Sequence, residues 1–272
     1  MRTHDEYRSI LELWESGVNK KRIALYTGIP RGTVVECIQK FGNVAGLEKA
    51  IAEPSEMRKP VSQVLQRIND PQDIETRKSY AYLLGMYLGD GCIVRSRQVF
   101  LLRISLDAKY PNIVDRCANA LQIILPLNKV GFIKHIYQEK LSHIDVSCLH
   151  KSWPVLLPQH GKGMKHTREI KLEAWQQLIV DAYPLEMFRG LYHSDGSRFS
   201  NVVNGKDYPR YQFSNCSPDI NRIFRETCAK LGLEWSVGTR GKRAANGGIH
   251  ENTFISKRKD VEYLDSVIGP KS

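Results

Sequence analysis

No apolar run in the 272-residue sequence approaches the ~20 residues that a membrane-spanning helix needs. The opening stretch MRTHDEYRSI lacks the apolar core of a secretory leader, so the expected location is the cytoplasm. Cysteines at metal-site spacing are missing too. The six fall at 37, 92, 117, 148, 216 and 228, none in a CxxC, and the eight histidines show no ligand spacing. A zinc module and a disulfide framework are therefore not expected, which leaves reduced, mostly buried thiols. Acid is in short supply: 29 Asp and Glu stand against 40 Lys and Arg, a net charge of +11. A surplus of that size points to a polyanionic partner. What is present is otherwise ordinary. Hydrophobic residues make up 42% and charged residues 25%, as in a globular chain, and the length admits more than one structural unit.

Residues 1–42 are expected to form a small all-helical domain. DEYRSILELWESG sets Ile10, Leu11, Leu13 and Trp14 at helical spacing and stops at Gly17. Asn19 suits the cap of a second helix, KKRIALYTG, closed by Gly28, and IPRGTVVECIQKFG supplies a third. Helix, short glycine-containing turn, helix is the helix-turn-helix pattern, and docking in a major groove would present Arg31, Thr33 and Glu36 to bases. A three-helix bundle that binds a protein is the plainer alternative. Residues 43–75, with Pro54, Pro60, Pro71 and many charges, read as a linker with one short helix around Val61 to Ile68.

From Thr76 onward one unit is written twice. A helix ending in GDG leads into the strands of CIVRSRQVFLLRISLD. The helix of YPNIVDRCANALQIILP, with Pro111 in its first turn, comes next. VGFIKHIYQEKLSHIDVSCL supplies two further strands and KSWPVLLPQ a short helix. The second copy opens at EMFRGLYHSDGSRF and continues through strands around the turn NGKD. SPDINRIFRETCAKLG, EWSVGTRG, HENTFISKR and DVEYLDSVIG complete it. Both copies read α-β-β-α-β-β-α, and Asp90-Gly91 and Asp195-Gly196 lie 105 residues apart (195 − 90).

The two motif helices share a pattern. Tyr82, Gly85 and Gly89 precede Asp90, and Met187, Gly190 and Ser194 precede Asp195, each set at i, i+3 and i+7. Small residues four apart let helix backbones approach closely. Parallel packing of the two helices would bring Asp90 and Asp195 side by side. Two adjacent carboxylates repel unless a cation relieves them. Mg²⁺, which takes one or two protein carboxylates plus phosphate oxygens, suits such a pair and phosphodiester hydrolysis. A single Asp-Gly is more often just a turn, but two copies in one register favour the site.

LLGMYLGDG and FRGLYHSDG resemble the nine-residue signature of LAGLIDADG homing endonucleases, and the element order after each copy is similar to that fold. The resemblance runs from about residue 76 to the C-terminus, as repeats over 76–170 and 171–272. It implies an α+β fold, two tandem α-β-β-α-β-β-α repeats forming a pseudo-symmetric saddle on the DNA major groove, behind the small all-α domain. It also implies a single-chain monomer that cuts both strands of double-stranded DNA with Mg²⁺. The family's metal-binding acid maps to Asp90 and Asp195. The acid often found two positions earlier is Leu88 in one copy and His193 in the other, where packing is expected. The family further places basic residues after the last helix of each half, here Lys162 and Lys165 after Gly161, and Lys271 after Gly269. Lys165 and Lys271 are the candidates to polarise water or stabilise phosphate charge.

Basic side chains then acquire a role. Arg95, Arg97 and Arg103 lie on the first two strands with no acid between them, and Arg198, Lys206 and Arg210 face Asp207 alone in the second copy. Arg240, Lys242 and Arg243 sit in the glycine-rich TRGKRAANGG. Basic residues alternating along strands suit a ribbon in the major groove, although solvated sheet faces are the bland alternative. The rival function is a non-cleaving transcription regulator with a helix-turn-helix on a decayed LAGLIDADG domain; an RNA maturase is a third. Retention of both acids favours the nuclease, and the helix-turn-helix favours duplex DNA.

Overall fold

The structure, a computed structural model, describes residues 3–52, 59–238 and 249–272. The chain divides into two compact units, Met1–Ser62 and Gln63–Ser272. In the first, Thr3 caps α1 (His4–Glu15): its hydroxyl accepts from the Glu6 N–H at 3.2 Å while the Glu6 carboxylate accepts from the Thr3 N–H at 2.8 Å. Asn19 caps α2 (Lys20–Thr27), and Gly28, at φ 66°, turns the chain in the left-handed conformation that glycine tolerates. α3 (Arg31–Phe41) and α4 (Val44–Ala52) complete a core of Ile10, Leu11, Ile23, Val34, Ile38 and Leu47. The linker expected over 43–75 is thus corrected. Leu47 draws α4 into the first unit, and α5 (Lys59–Asn69) buries Ile68 in the core of the second.

In the second unit Asp73 caps α6 (Ile74–Asp90), accepting from the Thr76 N–H at 3.1 Å. There follow β1 (Gly91–Ser96), β2 (Val99–Asp107), α7 (Pro111–Ile124), β3 (Val130–Tyr137), β4 (Lys140–His150) and α8 (Trp153–Leu156). After α9 (Ala174–Ala182), the second copy begins with α10 (Pro184–Asp195) and β5 (Gly196–Phe199). β6 (Val202–Val203) and β7 (Lys206–Asp207) form a small extra hairpin around Asn204 and Gly205, both at positive φ. β8 (Arg210–Asn215), α11 (Pro218–Lys230), β9 (Ser236–Gly238), β10 (Glu251–Ile255) and α12 (Arg258–Val267) close the copy.

The two four-stranded sheets have matching orders, β1-β2-β4-β3 and β5-β8-β10-β9, all antiparallel. Alternation divides each sheet into a covered and an open face. Leu102, Ile104 and Leu106 point into the core, as do Tyr211 and Phe213, whereas Arg103 and Ser105, like Arg210, Gln212 and Ser214, take the open face. One continuous core holds both copies together. Its centre is α6, where every residue from Tyr80 to Leu88 is buried. No helix among the described residues is long and apolar enough to cross a membrane.

Candidate active site

α6 and α10 lie side by side because their glycines leave no atom in the way. A Cβ on Gly85 would stand 2.7 Å from both Leu191 N and Met187 O, and one on Gly190 would meet the Tyr82 carbonyl and come within 3.0 Å of Gly85 Cα. A Cβ on Gly89 would strike the Ser194 side chain and sit 2.8 Å from Asp195 Oδ2. The expected small-residue face of Gly85, Gly89, Gly190 and Ser194 is therefore the contact itself. Residue 85 meets 187–191 and residue 89 meets 194–195, so the helices run parallel and end together. His193, two residues before Asp195, is half-buried between cations. Its imidazole is pushed down to about 3 by burial, then by Arg189, Arg116 and Lys271, and its Nδ1 lies 3.1 Å from Tyr82 Oη. A neutral, hydrogen-bonded ring at this position is a packing residue.

The helix ends hold two carboxyls in a partly enclosed space. Burial raises Asp90 to about 7, with the charge of Asp195 adding to the rise and Lys271 and Lys165 opposing it. Asp195 is also raised, by burial, against a hydrogen bond from Asn215 Nδ2 to its Oδ2 at 2.7 Å and the charges of Lys165 and Lys271. The lysines come from the tails after α8 and α12. Lys165 Nζ donates to the carbonyls of Tyr87, of Gly89 at 3.1 Å and of Gly91 at 2.7 Å, so it caps the open end of α6 and flanks Asp90 on both sides. Lys271 Nζ donates to the Ser194 carbonyl at 3.0 Å, beside Asp195. Each lies over the equivalent tyrosine ring, Lys165 at 4.8 Å from that of Tyr87 and Lys271 at 5.7 Å from that of Tyr192. Burial lowers Lys165 to about 8 and lowers Lys271 too, while both acids resist the fall.

This donor set fits a hard divalent cation. Its ligands are carboxylate oxygens, which such ions prefer, and burial together with mutual repulsion disfavours their charges until a positive group joins them. A cleft of about 370 Å³ opens beside them, lined by Lys165, Arg168, Asp195, Asn215, Cys216 and His250 among others. Arg168 Nε is buried there with no hydrogen-bond partner among the described residues. Asn215, Arg168 and His250 are the residues that sequence reasoning missed. Asn215 ends a strand and Arg168 follows a short 3₁₀ turn, so only folding brings them to the acids.

The remaining expected contacts divide. Arg31 is exposed and Thr33 half-buried at the start of α3. Arg103 and Arg210 lie on open sheet faces, each with Nε buried and without a hydrogen bond among the described residues; Arg103 pairs with the Asp145 carboxylate at 3.6 Å, and Arg210 stacks near Phe199 and Phe254. Arg198 does not: cross-strand from buried Tyr211, it turns to the helix side and forms a two-pronged pair with Asp265 at 2.6 and 2.7 Å. Arg95, opposite Phe100, has its Nε on the Arg97 carbonyl at 3.3 Å, and Arg97 occupies the β1–β2 turn at φ 53°. Arg240, Lys242 and Arg243 lie outside the described residues. All six cysteines are free.

No family model and no curated protein matches the chain. Solved structures do. A mesophilic variant of the homing endonuclease I-DmoI superposes at TM-score 0.48 with 13% identity, covering 71% of this chain and 97% of that one. I-DmoI in complex with DNA and Mn gives the same values. The N-terminal LAGLIDADG domain of DUF199/WhiA superposes at 0.43 with 13% identity, over 81% of this chain and 93% of that one. These are likenesses of backbone at low identity.

Proposed function

We propose that this protein is a site-specific, Mg²⁺-dependent endonuclease that hydrolyses phosphodiester bonds in both strands of a long duplex DNA target, acting as a single chain. The observation that carries the reading is the pair of half-buried carboxyls, Asp90 and Asp195, set together by glycine-packed parallel helices and flanked by lysines. Asp90 and Asp195 would hold the cation. Bound there, Mg²⁺ would supply Lewis acidity to the scissile phosphate and an activated water.

The chain's own groups do the rest. Asn215 fixes the rotamer of Asp195 through its hydrogen bond. Lys165 pins the corner between α6 and β1, which fixes the direction in which Asp90 leaves the helix. Lys271, bound to one carbonyl, keeps ammonium protons for the developing phosphate charge. Arg168, with an unpartnered Nε in the cleft, is placed to meet an anionic oxygen. Arg103 and Arg210 would contact DNA from the open sheet faces, and Arg31 and Thr33 would lengthen the recognised site from the N-terminal unit.

Selection of cleaved sites from a random duplex library in Mg²⁺, with wild type beside Asp90→Asn and Asp195→Asn, tests this. Each substitution should lower cutting by about 10²-fold or more, since cation stabilisation is worth several kcal/mol. Undiminished cutting by both variants would sink the mechanism. Tight binding with no cutting by wild type would instead favour the regulator reading.

A further inference from the structure

The open face of the first sheet carries a side-chain cluster on β3 and β4, strands that do not adjoin β1. The β3–β4 hairpin turns at Gln138 and Glu139, both at positive φ, and pairs His135 directly opposite His143. The imidazoles lie face to face, centroids 4.2 Å apart and planes within 9°. Next in the same face stands Asp145, with Oδ2 at 3.0 Å from His135 Nε2. One ligand atom from each of the three residues lies within 4.8 Å of the others.

Asp145 is the unusual member. Its side chain is 3% exposed although its strand position places it on the open side of the sheet. Ser105 Oγ holds Oδ1 at 2.5 Å, which orients the carboxylate as an outer-shell partner orients a metal ligand. Arg103 stands off at 3.6 Å, too far for a hydrogen bond.

We infer that His135, His143 and Asp145 form a binding site for a transition-metal dication of the zinc class, with a fourth position open to water or an incoming ligand. Two imidazoles and one carboxylate are the donor set that Zn²⁺, Co²⁺ and Ni²⁺ accept and that Mg²⁺ does not favour. Tetrahedral bonds of about 2.0–2.2 Å put ligand atoms roughly 3.3–3.5 Å apart, so the three donors close on one ion when the two rings swing out of their parallel stack and their ring planes converge. The site differs from the one at Asp90 and Asp195 in donors, in place and in the ion it selects. It crosslinks β3 to β4 at the point where the hairpin register shifts, between His135 and Ile136.

Metal uptake by the full-length chain, freed of metal beforehand, decides the matter without reference to cleavage. Co²⁺ is titrated against visible absorbance and then displaced with Zn²⁺. Wild type should take up one equivalent more than His143→Ala, and His135→Gln should bind at least about tenfold more weakly. His143→Gln serves as the conservative partner should the alanine variant fail to fold. Equal uptake by wild type and His143→Gln would overturn the inference. Displacement of Co²⁺ by an equal concentration of Mg²⁺ would also overturn it, since that ion belongs to an all-oxygen site.

Discussion

Gly85 and Gly190 each occupy the space in which the other would need a side chain. A methyl at either position gains about 1 kcal/mol of helix propensity. It also places a carbon against backbone atoms of the facing helix, which cannot step aside as a flexible side chain can. Gly190→Ala should therefore lower stability by about 1–3 kcal/mol net, seen as an earlier midpoint in urea at unchanged slope. A more stable variant would show that the helices are not in contact there. This packing was legible from the chain because the spacing of small residues is local and is repeated. The partners of Lys165 were not. Its distance from the helix in sequence says nothing of the three carbonyls it reaches, and a loop tail folding back onto α6 has no periodic signal.

Elements show where one-dimensional reading stops. Alternation along β2 sets Arg103 on the opposite face from Leu102 and Ile104. β5 has only four residues, too few for alternation to declare a side, and Arg198 was assigned to the wrong one. What decides its side is Asp265 on α12, 67 residues away. That carboxyl is held below its ordinary range by the Arg198 hydrogen bonds, against burial, with Tyr211 assisting. Its folded value lies below the unfolded one of about 3.9, so its stabilising share is complete above pH ~4 and fades as pH falls through the folded value. Asp265→Asn should cost about 1 kcal/mol at neutral pH. The gap between wild type and variant melts should narrow as pH falls below about 4. A gap that stays constant with pH would mean that the pair is not ionic. The His135–His143 pairing was hidden for a similar reason. A hairpin tipped by Gln-Glu lacks the usual Asn-Gly signal, and without a turn there is no register to set one histidine opposite the other.

At the scale of the molecule, the +11 charge is a statement about ionic strength. Each Arg or Lys that neutralises a phosphate adds about 0.9 to the slope of log affinity against log salt. Arg210→Ala should flatten that slope by about one unit in fluorescence anisotropy with duplex DNA, whereas Arg198→Ala should leave it unchanged. The first unit has its own core. A chain lacking residues 1–52 should keep the melt of the second unit while its footprint on DNA shortens; an unaltered footprint would remove the N-terminal unit from recognition. The duplicated order of elements was readable within the second unit, whereas the extent of the first was hidden, because a polar, proline-bearing stretch conceals the buried Leu47. Duplication also leaves a mark in its imperfections. Gly91 pairs with Ile104 and Gly196 with Phe213, so Asn215 in the second copy answers to Leu106 in the first. Asp195 is thus clamped by an amide, while Asp90 has no side-chain hydrogen bond among the described residues. Two otherwise matching half-reactions would then run on different clocks. One strand of the duplex should open before the other, nicked DNA should accumulate transiently, and Asn215→Leu should bring the two events closer together in time.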